Sequence, residues 1–231
     1  MISRLHLSVL LSIAAAIWGV SLMLGGGDLS PSFIRPFSVV VGILVFLLSQ
    51  FELWIWRLPP LRGWFVQRPN LRGTWRVLLT SNWRNPDTEQ SVAPITGYLV
   101  VRQTYSSLSL RLLTAESSSE LLGAQILRAE DGTFKIAGVY RNEPKLAVRH
   151  RSAIHYGGLV LVLEGNPPTA LEGHYWTDRD TRGEIEATER QKKAFQTFDA
   201  ANSFFGRDQQ VASSDGESTD AAPLRDPSSS T

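Results

Sequence analysis

The rhythm of apolar and polar residues changes twice from one terminus to the other, and each change predicts a different kind of element. Leu5 to Leu24 (LHLSVLLSIAAAIWGVSLML) carries no Lys, Arg, Asp or Glu and ends at Gly25-Gly26-Gly27-Asp28. Its length is about what a helix needs to cross a hydrocarbon core. A second run, Phe37 to Phe51 (FSVVVGILVFLLSQF), continues through ELWIW to Arg57, with Pro36 where a first helical turn tolerates it. The pattern predicts two N-terminal transmembrane helices over 1–60, with Trp54, Trp56 and Trp64 in an interfacial belt, and a juxtamembrane linker over 61–70. A cleaved signal peptide is the alternative for the first run, against which stand its single Arg and the lack of a small-x-small site before the glycines. A buried helical hairpin is the other, although neither run shows a polar face. Arg57, Arg62, Arg68 and Arg72 follow the second run, whereas the connector holds only Asp28 and Arg35. Positive charge collects on the cytoplasmic side, so the expectation is a multi-pass inner-membrane protein with the remaining domain and both termini cytoplasmic.

From Leu71 the pattern shortens to alternating runs separated by turn residues, the pattern of an all-β domain. Eight strands are predicted, around 72–81, 94–104, 107–116, 120–129, 132–142, 152–164, 170–178 and 182–189. Short connectors such as Tyr105-Ser106, Asp131-Gly132 and Asn166-Pro167-Pro168 favour an up-and-down meander. Eight such strands close into a lipocalin- or avidin-like β-barrel over 71–188, just wide enough for side chains or one small ligand. A sandwich is the alternative and expects longer crossovers. Beyond Thr188, ERQKKAFQTFDAANSFF places Ala194, Phe195, Phe198, Ala201 and Phe205 at helical spacing, an amphipathic helix over 189–206 suited to packing on its own barrel or on a partner. The Ser-, Asp- and Pro-rich end, 207–231, reads as a disordered tail.

Composition removes several classes of function. There is no cysteine, so disulfides, thiolate metal sites and a Cys nucleophile are excluded. His6, His150, His155 and His174 show no ligand spacing, and no metal or other cofactor is expected. A formal charge of +1 argues against a general DNA or RNA binder. Asp178, Asp180, Glu184 and Glu186 cluster without a partnered nucleophile, so an enzyme is not expected.

Strand alternation assigns each strand an inner face. Leu99 and Val101 lead to Gln103; Phe134, Ile136 and Gly138 lead to Tyr140 and Asn142; Leu163, Leu161, Leu159 and Gly157 lead back to His155; Gly173 and Tyr175 lead to Thr177 and Arg179, with Thr181 across the turn. Each row is apolar along most of its length and polar at one end. Strand parity puts Asn142, His155 and Arg179 at one rim and leaves Gln103 either at the other rim or deeper in the barrel. Such a rim is either a set of solvated turns or a ligand site. For a site the mix is suitable: Tyr140, Tyr175 and His155 to stack on bases, Asn142 and Thr177 to bond base edges, Arg179 to fork onto phosphate. Arg141, Lys145, Arg149 and Arg151 against Glu143 add an anion-collecting segment.

These residues resemble a known family. Paired apolar runs followed by LRGTW (71–75), QT (103–104), the Ser117 and Ser119 region, YRNEP (140–144), HYGG (155–158) and LEGHYWTDRDTRGE (171–184) are similar, in their order, to the two-transmembrane, β-strand-rich effectors of bacterial cyclic-oligonucleotide-based antiphage signalling (CBASS). The resemblance covers nearly all of residues 1–188. It implies a barrel that binds a cyclic dinucleotide or related cyclic oligonucleotide made by a cognate nucleotidyltransferase, followed by homo-oligomerisation and disruption of the inner membrane lipid as abortive-infection defence. The Phe-rich segment after Thr188 and the polar tail depart from the family's pattern. A membrane-anchored, lipocalin-like module for an apolar ligand is the alternative.

Overall fold

A computed structural model describes residues 4–24, 35–84 and 89–217. The helices are α1 (Arg4–Leu24), α2 (Arg35–Leu53) and α3 (Phe198–Glu217). The strands are β1 (Gly73–Ser81), β2 (Ile95–Gln103), β3 (Leu108–Leu113), β4 (Ser117–Arg128), β5 (Phe134–Pro144), β6 (His155–Glu164), β7 (Ala170–Thr177) and β8 (Arg182–Gln191). They form two compact units, one reaching to Asn70 and including Gln103–Ser107, the other built from Leu71–Arg102 and the chain from Leu108 onward.

In the first unit α1 packs on α2, and α2 stops at Leu53, before the aromatic continuation. Its last turn is committed to protein contacts. The Glu52 carboxylate accepts hydrogen bonds from the Thr104 hydroxyl, the Ser106 hydroxyl (2.5 Å) and the Ser106 backbone N–H (2.9 Å). Burial works to raise its pKa, but these bonds hold it below the usual carboxylate range. A single 3₁₀ turn, Ile55–Arg57, then buries Trp56 to 1% exposure, with its ring 6.2 Å from that of Tyr105.

Two expectations are corrected here. Among the described residues no helix is long and apolar enough to cross a membrane, so the two transmembrane helices, and with them the multi-pass inner-membrane placement with cytoplasmic barrel and termini, are not upheld. Hydropathy reads the second run as continuing towards Arg57, but Glu52 and Trp56 are bound to the turn at Thr104–Ser106 and not left facing lipid. Trp56 therefore does not belong to an interfacial belt.

The second unit is the eight-stranded, closed, up-and-down barrel, in the order β1 to β8, with β8 returning antiparallel to β1. Period-2 alternation explains its core. Trp75, Val77 and Leu79 of β1, Leu99 and Val101 of β2, Ile136 of β5, Leu159, Leu161 and Leu163 of β6, and Ile185 and Ala187 of β8 are buried together. Their outward neighbours are polar at Arg76, Thr80, Lys135, Glu184 and Glu186 but apolar at Leu78, Val160 and Val162. At one end the barrel is filled by Leu71 and Trp75, both 0% exposed, with the Trp75 indole N–H donating to the Leu71 carbonyl at 3.0 Å and the Arg190 guanidinium over the ring.

Tyr98 and Val100, the outward positions of β2, are not solvated. They are covered by Phe195, Ala201 and Phe205, and the Tyr98 hydroxyl donates to Asn202 Oδ1 at 2.9 Å. The amphipathic segment thus packs on its own barrel. Its helix is Phe198–Glu217 rather than 189–206, because β8 continues to Gln191 and the Thr197 hydroxyl accepts from the Ala200 N–H at the helix start. Residues 218–231 of the expected tail lie outside the described residues.

Candidate functional site

The barrel end opposite Trp75 opens into a cavity of about 760 Å³, within the range of small-molecule sites. Its floor is apolar, made by Val77, Leu79, Leu99, Leu159, Leu161 and Ile185. Space at this level comes from two cross-strand pairings of tyrosine with glycine. Tyr140 pairs with Gly157 and Tyr175 with Gly183. A methyl group at either glycine would collide with the paired ring and with backbone oxygen. Each ring therefore lies flat along the wall of the neighbouring strand and does not cross the lumen. Both tyrosines line the cavity, and burial pushes the Tyr140 hydroxyl's pKa well up, assisted by Tyr175 and Asp178. It remains a protonated donor at any physiological pH.

Above the tyrosines lies a polar layer. Asn142 of β5 faces His155 of β6 in register, and Ser119 of β4 faces Asn142. The Ser119 hydroxyl donates to Asn142 Oδ1 at 2.9 Å. That bond occupies the amide oxygen, and the Asn142 amide nitrogen has no partner among the described residues. His155 Nδ1 is 3.1 Å from the Ala153 carbonyl oxygen. Two acceptors would repel at that distance, so Nδ1 carries the proton and Nε2 is left as an acceptor. Burial lowers the His155 pKa; the Ala153 carbonyl opposes this and Arg179 reinforces it. The residue is 8% exposed. With Nδ1 tied to backbone, the ring keeps Nε2 as an acceptor.

The rim is set by the β7–β8 turn. The Thr177 and Thr181 hydroxyls are 2.6 Å apart, the Thr177 oxygen accepts from the backbone N–H of Arg179 (3.2 Å) and of Thr181 (3.3 Å), and Asp180 takes a left-handed φ of 56°. The turn is stitched to β6 by Asp178, whose N–H donates to the Tyr156 carbonyl at 2.9 Å while its carboxylate accepts from the Tyr156 N–H at 3.2 Å. Thr177 is thus used inside the turn, and Thr181 and Arg179 reach the cavity. Arg179 Nη2 lies 3.5 Å from Ser152 Oγ and has no ion pair among the described residues.

Six of the eight residues singled out from the sequence, Tyr140, Asn142, His155, Tyr175, Arg179 and Thr181, line this one cavity. Thr177 braces Thr181 from behind. Gln103 does not line it; its amide N–H donates to the Pro69 carbonyl at 2.9 Å. Of the four cations around Arg141–Arg151, three are ion-paired, and they share two carboxylates, so the segment stays positive. Glu143 pairs with Arg149 at 2.6 Å and Arg141 at 3.6 Å, and Glu116 pairs with Arg151 at 2.5 Å. Sequence reading passes over Glu116, Ser152 and Trp83, which also line the cavity. Ser119 is legible only as part of a motif, because a fourth strand starting at 120 leaves it outside, whereas the strand begins at Ser117.

Among the described residues no group of three or more His, Asp or Glu side chains could hold a metal ion. The cavity offers hydrogen-bond donors, one acceptor ring, two aromatic walls and two guanidinium groups, one of them paired with a carboxylate, which is binding chemistry. Residues 66–189 match the family model described as "Cap15, cyclic dinucleotide receptor domain". No individually curated protein matches the chain.

Proposed function

The chain belongs to the Cap15 cyclic dinucleotide receptor family of CBASS effectors, a binding effector and not an enzyme, and from that premise we propose that the open end of its barrel is where the cyclic dinucleotide sits. The carrying observation is the layering of one cavity: apolar floor, tyrosine walls, an Asn142–His155 donor and acceptor pair, and Arg179 at the rim. In this reading a base enters against the rings of Tyr140 and Tyr175, its edge meets the Asn142 amide N–H and His155 Nε2, and a phosphate meets the Arg179 fork. The signal comes from a partner nucleotidyltransferase. Binding shifts the protein's state only through a difference in affinity between states.

The output assigned to that shift is homo-oligomerisation and disruption of a lipid bilayer. Support comes from the first unit, where large apolar side chains such as Leu11, Phe46 and Met23 are exposed and require cover from other copies or from lipid. The apolar floor alone would also suit a lipocalin-like ligand; Arg179 and the family membership favour the nucleotide.

The test is thermal unfolding of the full-length chain with cyclic di-AMP, cyclic di-GMP and mixed cyclic dinucleotides. One of them should raise the melting temperature, corresponding to about 2.7 kcal/mol at a hundredfold excess over Kd. A barrel stabilised by fatty acids and by none of the nucleotides would reverse the assignment. Growth arrest on co-expression with the synthase, absent when either is expressed alone, tests the output separately.

A further inference from the structure

Two guanidinium groups, Arg151 and Arg179, line the cavity, and they differ in what holds them. Arg179 carries no carboxylate partner among the described residues, whereas Arg151 Nη2 lies 2.5 Å from Glu116 Oε1. Glu116 lines the same cavity. It sits in the β3–β4 turn, closed by the Thr114 hydroxyl accepting from the Ser117 N–H at 2.9 Å. Arg151 sits in the connection between β5 and β6. Main chain joins the two segments, because the Lys145 N–H donates to the Glu116 carbonyl at 2.8 Å. The carboxylate is therefore delivered to the guanidinium by backbone rather than meeting it as two free side chains. Both side chains are more than half exposed, at 56% and 58%. An ion pair in that setting is weak and exchangeable.

A carboxylate offers a guanidinium two oxygens in the same forked geometry as the non-bridging oxygens of a phosphate. Resting on the reading that this cavity takes a cyclic dinucleotide, we infer that Glu116 is an internal competitor for Arg151, standing where the second of the ligand's two phosphates binds. Arg179 receives one phosphate directly. Arg151 receives the other only by exchanging Glu116 for it. Glu116 thereby sets the affinity of the receptor for ligands with two phosphates and costs ligands with one phosphate less, since a cyclic mononucleotide satisfied at Arg179 has no need to displace the carboxylate. The negative charge that remains at the rim after exchange adds to the threshold.

The inference is tested on the full-length chain by calorimetric titration with whichever of cyclic di-AMP, cyclic di-GMP and cyclic UMP–AMP binds the parent most tightly, with cyclic AMP as the one-phosphate comparison. Glu116→Gln should bind the dinucleotide about three- to tenfold more tightly, with a smaller gain for cyclic AMP. Arg151→Ala should bind it about tenfold more weakly, and in that background the gain from Glu116→Gln should disappear. Glu116→Ala, with the same expected gain, stands in if Glu116→Gln does not fold. Glu116 variants that bind as the parent does, or more weakly, overturn the competition. An equal gain with and without Arg151 overturns the exchange and leaves simple repulsion. A parent that binds none of the dinucleotides overturns the receptor reading and this inference together.

Discussion

Arg179 and His155 show how single residues at this site acquire their properties from neighbours. Arg179 is exposed at the tip of a turn whose backbone is satisfied by Thr177 and Asp178, so its charge is free for a ligand. Arg179→Ala should weaken dinucleotide binding by about 1.5–3 kcal/mol, the range for a hydrogen bond to a charged group. Arg179→Lys, keeping charge but losing the planar fork, should fall between. Calorimetry on both variants checks the order, and an unaltered Kd in Arg179→Ala would reduce the hairpin to a solvated turn. His155 is held below its ordinary pKa of 6.5 by burial. In the pH range just below 6.5 the unfolded chain therefore takes up a proton that the folded barrel does not. The stability present above pH 6.5 is lost as pH falls through the folded value. Melting temperature should decline as pH falls below the ordinary value of 6.5, and His155→Gln should flatten that decline. A parent barrel with no such slope would mean that His155 protonates as readily folded as unfolded.

Among the elements, the packing of α3 explains why β2 has apolar side chains on both faces. Leu99 and Val101 point into the barrel while Tyr98 and Val100 meet Phe195 and Phe205. Both Phe195 and Phe205 are nearly inaccessible, so Phe205→Ala should cost about 3–5 kcal/mol, the range for deleting a buried aromatic ring. Urea unfolding followed by Trp fluorescence measures it. A loss below about 1 kcal/mol would make α3 an ornament on the barrel and not part of its core. The helical spacing of Ala194, Phe195, Phe198, Ala201 and Phe205 makes an amphipathic helix legible, but spacing does not distinguish the barrel from a partner protein as the surface it docks on. Its boundaries are not legible either. Glu189, Arg190 and Gln191 suit a helix start as well as a strand end, and it is the pairing of Arg190 with Trp75 and of Gln191 with Thr74, past a bulge at Glu189, that draws them into β8.

Across the full chain, the cavity residues all come from the barrel unit and none from the helical one. Removing residues 1–60 should therefore leave the Kd for the dinucleotide within about threefold of the full chain, as expected when the removed segment shares no partner with the site. A loss of binding in a chain that still folds would place part of the site outside the barrel. The eight strands, the meander and the inner rows follow from residue order alone, because side-chain alternation is a local consequence of the pleat and short turns leave an antiparallel chain few other arrangements. Those same rows put Asn142, His155 and Arg179 at one rim, with Tyr140 and Tyr175 beneath them. Which charges stay unpaired is settled only by the folding of distant segments onto one another. Arg141, Arg149 and Arg151 count as three cations along the chain, and in the fold each is ion-paired, Arg141 and Arg149 sharing Glu143 and Arg151 meeting Glu116 from another turn, while Arg179 has no ion pair among the described residues. Tertiary contacts likewise commit Thr177 to its own turn and Gln103 to Pro69. Apolar runs near the start are legible as helices, but hydropathy sums side chains without knowing their partners. It does not show that Glu52 and Trp56 are bound by the turn at Thr104–Ser106, contacts made between segments some fifty residues apart.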